Sequence, residues 1–245
     1  FLLALFCGSK EYLDPFLRQN FLRAGVSHIL ALSGLHLSLV AGGAKKIAGI
    51  FAGAKLAAFV IFIFAWAFVL FASSAPSLNR ALLFVFFNIF AKKLCVKPVL
   101  TKVLALSFIL QLVCNARQAQ TGAFLLSYGA MLGIALILPL FAKKIEKLPK
   151  NPQKICSTLA TCFAAQCGTF PLTLILYKSF VPFGIFASFL LIPLVSVFLI
   201  LGVACTLIAY FLPLCVPFLY QILNFFYNSI AIIAQFFANL FSVNF

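Results

Sequence analysis

The sequence predicts an all-α membrane protein: a polytopic transmembrane helical bundle of about eight spans (seven to nine), with an amphipathic outer-face helix near the N-terminus. Hydrophobic residues make up 65% of the 245 residues, only 9% are charged, and the mean hydropathy is +1.19. A soluble domain is typically about 45–50% apolar and about 25% charged, so soluble enzymes and soluble binding modules are excluded. Because the chain starts inside an apolar run at Phe1, we interpret residues 1–245 as a single domain of a longer protein, with the membrane bundle over residues 28–245.

The basic residues predict the orientation of the bundle. Lys and Arg number 18 against three acids, and lysines collect in cytoplasmic loops. Twelve lysines occupy alternate loops, which we therefore place on the cytoplasmic side: Lys45, Lys46, Lys55, Lys92, Lys93, Lys97, Lys102, Lys143, Lys144, Lys147, Lys150 and Lys154. The other six cations, including all four arginines, lie toward the outer side: Lys10, Arg18, Arg23, Arg80, Arg117 and Lys178. Arginine forks bind phosphate bidentately, so these six indicate either contact with a polyanion or segregation by chance.

Apolar runs bounded by polar loops define the expected elements. Residues 8–25 have apolar side chains at helical spacing with charges between them, which predicts an interfacial amphipathic helix at the outer surface. The seventh run is too long for one straight span of about 20 residues. Because Pro193 interrupts it, either a kinked helix or a re-entrant half followed by a span is expected. The expected spans are residues 28–43, 56–72, 76–91, 99–115, 122–142, 155–176, 182–212 and 218–245.

The densest polar stretch within an apolar run covers residues 27–38 and contains His28, Ser33, Gly34 and His36. One interpretation is a packing helix whose polar groups bond to neighbouring helices. A second is an intramembrane hydrolase using Ser33 and a histidine, although no acid is placed to orient the imidazole. None of the three acids lies deep in an apolar run, which disfavours transport coupled to protons or cations. No metal site and no cofactor are expected.

A stripe of polar and small residues follows the last apolar segment at alternating spacings of three and four. We expect this stripe to face the bundle interior, either as a packing seam or as the lining of a path, because amides facing lipid lack partners. Similar but weaker patterns occur at Gln111, Asn115 and Gln118, and at Gln166, Thr169 and Thr173. The stripe consists of Gln221, Asn224, Asn228, Ala231, Gln235, Ala238 and Ser242.

The run from Ala24 to Leu37, AGVSHILALSGLHL, closely resembles the hallmark segment of the ComEC/Rec2 competence family. Four further segments resemble family elements in the same order: residues 79–81, 122–130, 165–172 and 183–194. The sequence departs from the family pattern at two places. Ala187-Ser188 stands where the family often has Ala-Asn, and Gln120-Thr121 stands where it often has Asp-Pro, so no role is carried over for that Asn or that Asp.

The resemblance implies a DNA uptake channel that moves single-stranded DNA across the cytoplasmic (inner) membrane during natural transformation, and not an enzyme. The implied partners are single-stranded DNA, the lipid bilayer, a DNA-receptor protein and a separate cytoplasmic ATPase. Whether the chain forms a homo-oligomer is left undecided. The OB-type and metallo-β-lactamase-like domains of longer members are not expected within residues 1–245, since two histidines cannot build that metal site. A small-anion or lipid-linked-substrate transporter is the remaining alternative. The expected channel residues are His28, Ser33, Gly34, His36, Arg80, Arg117, Ser127, Gln166, Asn224 and Asn228.

Overall fold

The computed structural model describes most of the chain and shows that this part is helical. No strand occurs among the described residues, as expected for an all-α membrane bundle. Gly34, Leu37, Ser38, Ala41 and Gly42, within the predicted span at residues 28–43, are α-helical, and half of that span lies outside the described residues. The described residues are 1–2, 5, 13–30, 34, 37–38, 41–42, 54–71, 75–177, 181 and 184–241.

The helices follow the predicted order, and we number them along the chain. In the described part of the chain they are accompanied by two short 3-10 helices, Ser27–Ile29 and Pro213–Cys215. The α-helices are α1 (Pro15–Arg23), α2 (Ala54–Phe71), α3 (Pro76–Lys93), α4 (Leu100–Cys114), α5 (Ala116–Ala119), α6 (Gly122–Ile145), α7 (Lys150–Tyr177), α8 (Gly184–Phe211) and α9 (Val216–Phe241).

Among the described residues, four helices are long and apolar enough to cross a bilayer: Gly122–Ile145, Lys150–Leu176, Gly184–Phe211 and Pro213–Leu240. Three apolar helices are shorter: Phe59–Leu70, Pro76–Ala91 and Leu100–Cys114. Their outer faces carry large apolar side chains at high exposure, which in a membrane protein is surface for lipid. The count of eight spans stays a prediction.

The chain divides into two compact units, which are described separately. The first contains residues 1–32 and 181–245. Its helices α8 and α9 pack together, and α1 packs on α9. Leu17 and Phe21 of α1, Leu191 of α8, and Ile230 and Ala234 of α9 are buried in this unit.

The amphipathic helix near the N-terminus is present as α1, although it is shorter than the predicted range 8–25. It begins at Pro15 because the side chain of Asp14 accepts a hydrogen bond from the backbone N–H of Phe16 at 3.0 Å, and proline suits the first helical turn. It ends at Arg23, two residues before Gly25, whose φ of +72° belongs to the left-handed region. Residues 8–12 of the predicted range lie outside the described residues.

The seventh predicted span is one continuous helix, α8, with Pro193 inside it. The sequence leaves open either a single helix through the proline or a re-entrant half followed by a span. The structure shows the single helix. The proline lacks the N–H that would bond four residues back. Such prolines are tolerated in membrane helices because neighbouring groups satisfy the freed carbonyl.

The amide residues of the α9 stripe are exposed, whereas Ala238 of the same stripe is buried. Ile230, Ala234 and Phe237 form the packed face, whereas Asn224 and Asn228 are exposed. The sequence pattern therefore identified the amphipathic character of α9, and the expectation that the stripe faces the bundle interior, as a packing seam or as the lining of a path, stays a prediction. The apolar face is the one that finds partners in α1 and α8.

The second unit contains residues 33–180 and holds helices α2 to α7. Its tightest contact joins α6 and α7 through glycines. A Cβ atom added at Gly133 would lie 2.8 Å from both Cα and N of Gly168, and one added at Gly129 would lie 2.9 Å from the Gly168 carbonyl oxygen. Gly129 and Gly133 are four apart, so they form the small-xxx-small pattern that lets membrane helices approach closely.

Candidate functional site

Three helices of the second unit meet at a polar cluster centred on Arg80. Arg80 lies in the second turn of α3 and is half-buried. Its Nη1 donates a hydrogen bond to the backbone carbonyl of Ser127 in α6. The guanidinium carbon lies 5.9 Å from the centroid of the Tyr128 ring, within range of a cation–π contact. Two successive residues of α6 therefore hold the arginine.

Tyr128 extends the cluster to α4. Its hydroxyl lies 3.2 Å from Gln111 Oε1 and 3.3 Å from Ser107 Oγ, so either oxygen can accept its proton. Ser107 in turn donates to the carbonyl of Leu104 at 2.8 Å. Gln111 Nε2 donates to the carbonyl of Pro76, at the start of α3, at 3.2 Å. One hydrogen-bonded network thus ties the start of α3 and the end of α4 to α6.

A break between α4 and α5 opens a cleft beside this network. α4 ends at Cys114 after 15 residues, and Asn115 then leaves helical geometry with a φ of −155°. The side chain of Asn115 accepts a hydrogen bond from the backbone N–H of Gln118 at 3.3 Å, which starts α5. Broken helices in membrane proteins line cavities, because the freed backbone groups need polar surroundings. The cleft has a volume of about 290 Å³ and is lined by Asn79, Leu82, Leu83, Leu110, Gln111, Cys114, Asn115 and Gln118.

The cluster lies at the end of the unit that the charge pattern assigns to the outer side. Helix α3 runs from Pro76, in the cluster, to Lys93, which lies about 25 Å away along the helix axis. Polar and charged groups at membrane depth are expensive and commonly mark a pathway or a binding site. The hydroxyl of Ser127 is buried without a hydrogen-bond partner among the described residues.

Segments that carry the family resemblance meet at Arg80. A Cβ atom added at Gly34, in the hallmark segment, would lie 3.4 Å from Ala81 Cβ and 3.9 Å from Arg80 Nη2. Arg80 and Ala81 belong to the Asn-Arg-Ala element, and Ser127 belongs to the third matching segment. The fold therefore brings one residue from each of three segments, Gly34, Arg80 and Ser127, together at one guanidinium, although Gly34 and Ser127 are more than 90 residues apart in sequence.

The structure brings together three of the ten predicted channel residues, Gly34, Arg80 and Ser127. Arg117 is exposed in α5, next to the cleft residue Gln118. Ser33 and His36 lie outside the described residues.

The remaining predicted residues occupy other places. Gln166 is half-buried in α7 of the second unit, and its carbonyl accepts a hydrogen bond from the hydroxyl of Thr169. His28 is exposed in the 3-10 helix Ser27–Ile29 of the first unit. Asn224 and Asn228 are exposed in α9 of the same unit.

The guanidinium of Arg80 turns toward α6 and bonds to protein, while the open space beside it is the amide-lined cleft. Sequence reasoning did not single out Tyr128 and Ser107 as site residues. A signal for Ser107 was available: it lies four residues before Gln111, so the two side chains share one face of α4.

The fold and the site define a class: a helical membrane protein of several spans that contains a polar cluster organised around an arginine. A family model described as "Competence protein" matches residues 5–245, and the chain belongs to this family. This finding confirms the ComEC/Rec2 resemblance, and the chain is a competence-related membrane protein. No curated protein and no solved structure matches the chain.

Proposed function

We propose that this chain carries single-stranded DNA across the cytoplasmic (inner) membrane, as a channel and not as an enzyme. The observation that carries the proposal is the convergence of three family segments on Arg80, in a membrane unit whose helices are otherwise mostly apolar. A nucleic-acid strand needs cations for its phosphates and base-tolerant surfaces along its route. The Arg80 cluster and its cleft contain no acidic side chain among the described residues, so they do not repel a polyanion.

The family and the sequence also suggest the partners. A DNA-receptor protein would deliver the strand to the outer side. The 245 residues contain no GxxxxGK[ST] loop for a nucleotide phosphate, and we propose that the energy for translocation comes from a separate cytoplasmic ATPase or from capture of the DNA inside the cell.

The test measures entry of fluorescent DNA into the cytoplasm of a deletion strain that is complemented with variants. Arg80→Lys keeps the charge but loses the fork, and Arg80→Ala loses both. Because hydrogen bonds to charged groups contribute about 1.5–3 kcal/mol, we expect Arg80→Ala to reduce uptake roughly tenfold or more, and Arg80→Lys to reduce it less. Arg18→Lys, at an exposed position of α1, is the matched control and should leave uptake unchanged.

Protein level is measured for each strain, so that loss of folded protein is separated from loss of transport. Equal uptake by the wild type and both Arg80 variants would reject the proposed role of the cluster. Uptake by the deletion strain equal to that of the complemented strain would reject the proposed function as a whole.

A further inference from the structure

The cleft beside the Arg80 network is lined by neutral side chains, whereas a phosphate-binding site would need cations. Four of its eight lining residues carry amides, three are leucines and one is a cysteine, so no charged side chain lines it. An anion would find no cation in this lining. A small neutral molecule would find apolar walls with a few polar groups that fix its orientation, which is the usual composition of a small-molecule site.

The amides of the cleft are only partly used by the protein. Gln111 is engaged at both ends, through the carbonyl of Pro76 and the hydroxyl of Tyr128. Asn79 Nδ2 donates to Gln118 Oε1 at 3.5 Å, the outer limit of a hydrogen bond, and Asn115 Oδ1 accepts from the backbone of Gln118.

This accounting leaves three polar groups without a hydrogen-bond partner in the described part of the chain. They are one acceptor, Asn79 Oδ1, and two donors, Asn115 Nδ2 and Gln118 Nε2. An amide presents one donor end and one acceptor end whichever way it is turned. The cleft therefore offers hydrogen-bond donors and acceptors that suit the polar edge of a nucleobase. Its leucine side chains suit the two apolar faces of the base.

The volume of the cleft and the residues around it suit the binding of one nucleobase at a time. The volume of about 290 Å³ lies just below the usual range of small-molecule sites, which is about 300–1,000 Å³. Arg117 is exposed and adjacent in sequence to the lining residue Gln118, so it is a candidate cation for the phosphate of the same nucleotide. Because amides accept and donate equally well, such a site tolerates any of the four bases, as transport of arbitrary sequence demands.

We propose that this cleft is a nucleobase subsite, which holds one unstacked base of the strand while the backbone passes outside. The inference rests on the proposed function. It adds that the cleft binds a base of the strand and not its phosphates. It predicts that affinity at this site depends on the presence of bases and not only on phosphate charge.

The native Cys114 provides a direct probe, because it is exposed and lines the cleft. A variant that retains only Cys114 is purified in detergent and labelled with a water-soluble maleimide. Labelling is measured alone, with oligothymidylate, with an abasic oligonucleotide of equal length, and with free thymidine at the same base concentration. A variant that retains only Cys95, exposed after the lysine-rich end of α3, is the matched control.

We expect oligothymidylate to slow labelling of Cys114 roughly fivefold or more, as two or three new hydrogen bonds would give. The abasic strand and free thymidine should protect much less, and Cys95 should label at one rate throughout. Leu83→Phe, which fills the cleft with a larger side chain, should abolish the protection of Cys114 by oligothymidylate. Should the cysteine substitutions disturb folding, fluorescence anisotropy with the native chain measures the same preference for oligothymidylate over the abasic strand.

The remaining outcomes overturn the inference in distinguishable ways. Equal protection by the abasic strand would show that the backbone alone covers Cys114, and equal protection by thymidine would show a nucleoside site that needs no strand. No labelling without DNA would show that the cleft is closed to solvent. Binding of oligothymidylate without protection of Cys114 would reject the subsite and leave the proposed function standing. Absence of any strand binding, together with normal uptake by a deletion strain, would reject both the subsite and the proposed function.

Discussion

Replacement of Gly133 by alanine tests whether α6 and α7 are held together by direct backbone contact. The added Cβ would lie 2.8 Å from Cα and N of Gly168, while ordinary contact begins near 3.4 Å, and it would also meet the carbonyl of Ala164. Since these atoms are backbone, no side chain can move aside, and the helices must separate by about half an ångström or more.

The expected cost follows from two opposing contributions. Overpacking typically costs about 1–3 kcal/mol, whereas alanine is more favourable than glycine within a helix by about 0.8–1.0 kcal/mol. We therefore expect the free energy of unfolding to fall by up to about 2 kcal/mol, a factor of up to roughly 30 in the folded-to-unfolded ratio. The matched control is Gly42→Ala, because a Cβ at that helical glycine meets nothing within 4 Å. The control should be neutral or stabilising by up to about 1 kcal/mol.

The assay is unfolding in detergent micelles by titration with sodium dodecyl sulfate. It is followed by the fluorescence of Trp66, the single tryptophan, which lies in α2 of the same unit. If the Gly133→Ala protein is as stable as the Gly42→Ala protein, the close packing of α6 on α7 is refuted.

Two further predictions use the same titration. Tyr128→Phe removes the hydroxyl that bonds to Gln111 and Ser107, so we expect a loss of about 0.6 kcal/mol, or up to about 1.7 kcal/mol, as measured for hydrogen bonds between membrane helices; a gain in stability would contradict the network. Asp14→Ala removes the side chain that caps α1, and we expect it to cost about 1 kcal/mol, with Asp14→Asn as the control that keeps the cap and therefore the stability.

The sequence predicts the helices well because their ends carry local signals. Pro76 is suited to the first turn of α3, Asn115 accepts the hydrogen bond that separates α4 from α5, and the hydroxyl of Thr121 accepts one from the backbone of Phe124 at the start of α6. Pro193 carried an ambiguous signal, since a proline breaks most helices but is tolerated in a membrane helix. Only the structure shows that α8 continues through it.

The site could be predicted in part. Arg80 and Ser127 stand out in sequence because a charge is rare in an apolar segment and because both lie in segments that resemble the family. Tyr128 does not stand out, since an aromatic residue in an apolar helix is typical of packing. Its role depends on the approach of α4 and α6, which no local pattern encodes. The polar stripe of α9 shows the same limit, because periodicity finds a face but not the partner of that face.

The central claim is that the strand passes the polar cleft of the second unit, and cross-linking tests it most directly. A photoreactive amino acid is placed at position 118, in the cleft, and in a second strain at position 113, where Val113 is 77% exposed on the apolar surface. Cells that are taking up labelled DNA are then irradiated. We predict a covalent DNA adduct at position 118 and none at position 113. Adducts at neither position, in cells with normal uptake, would contradict the account.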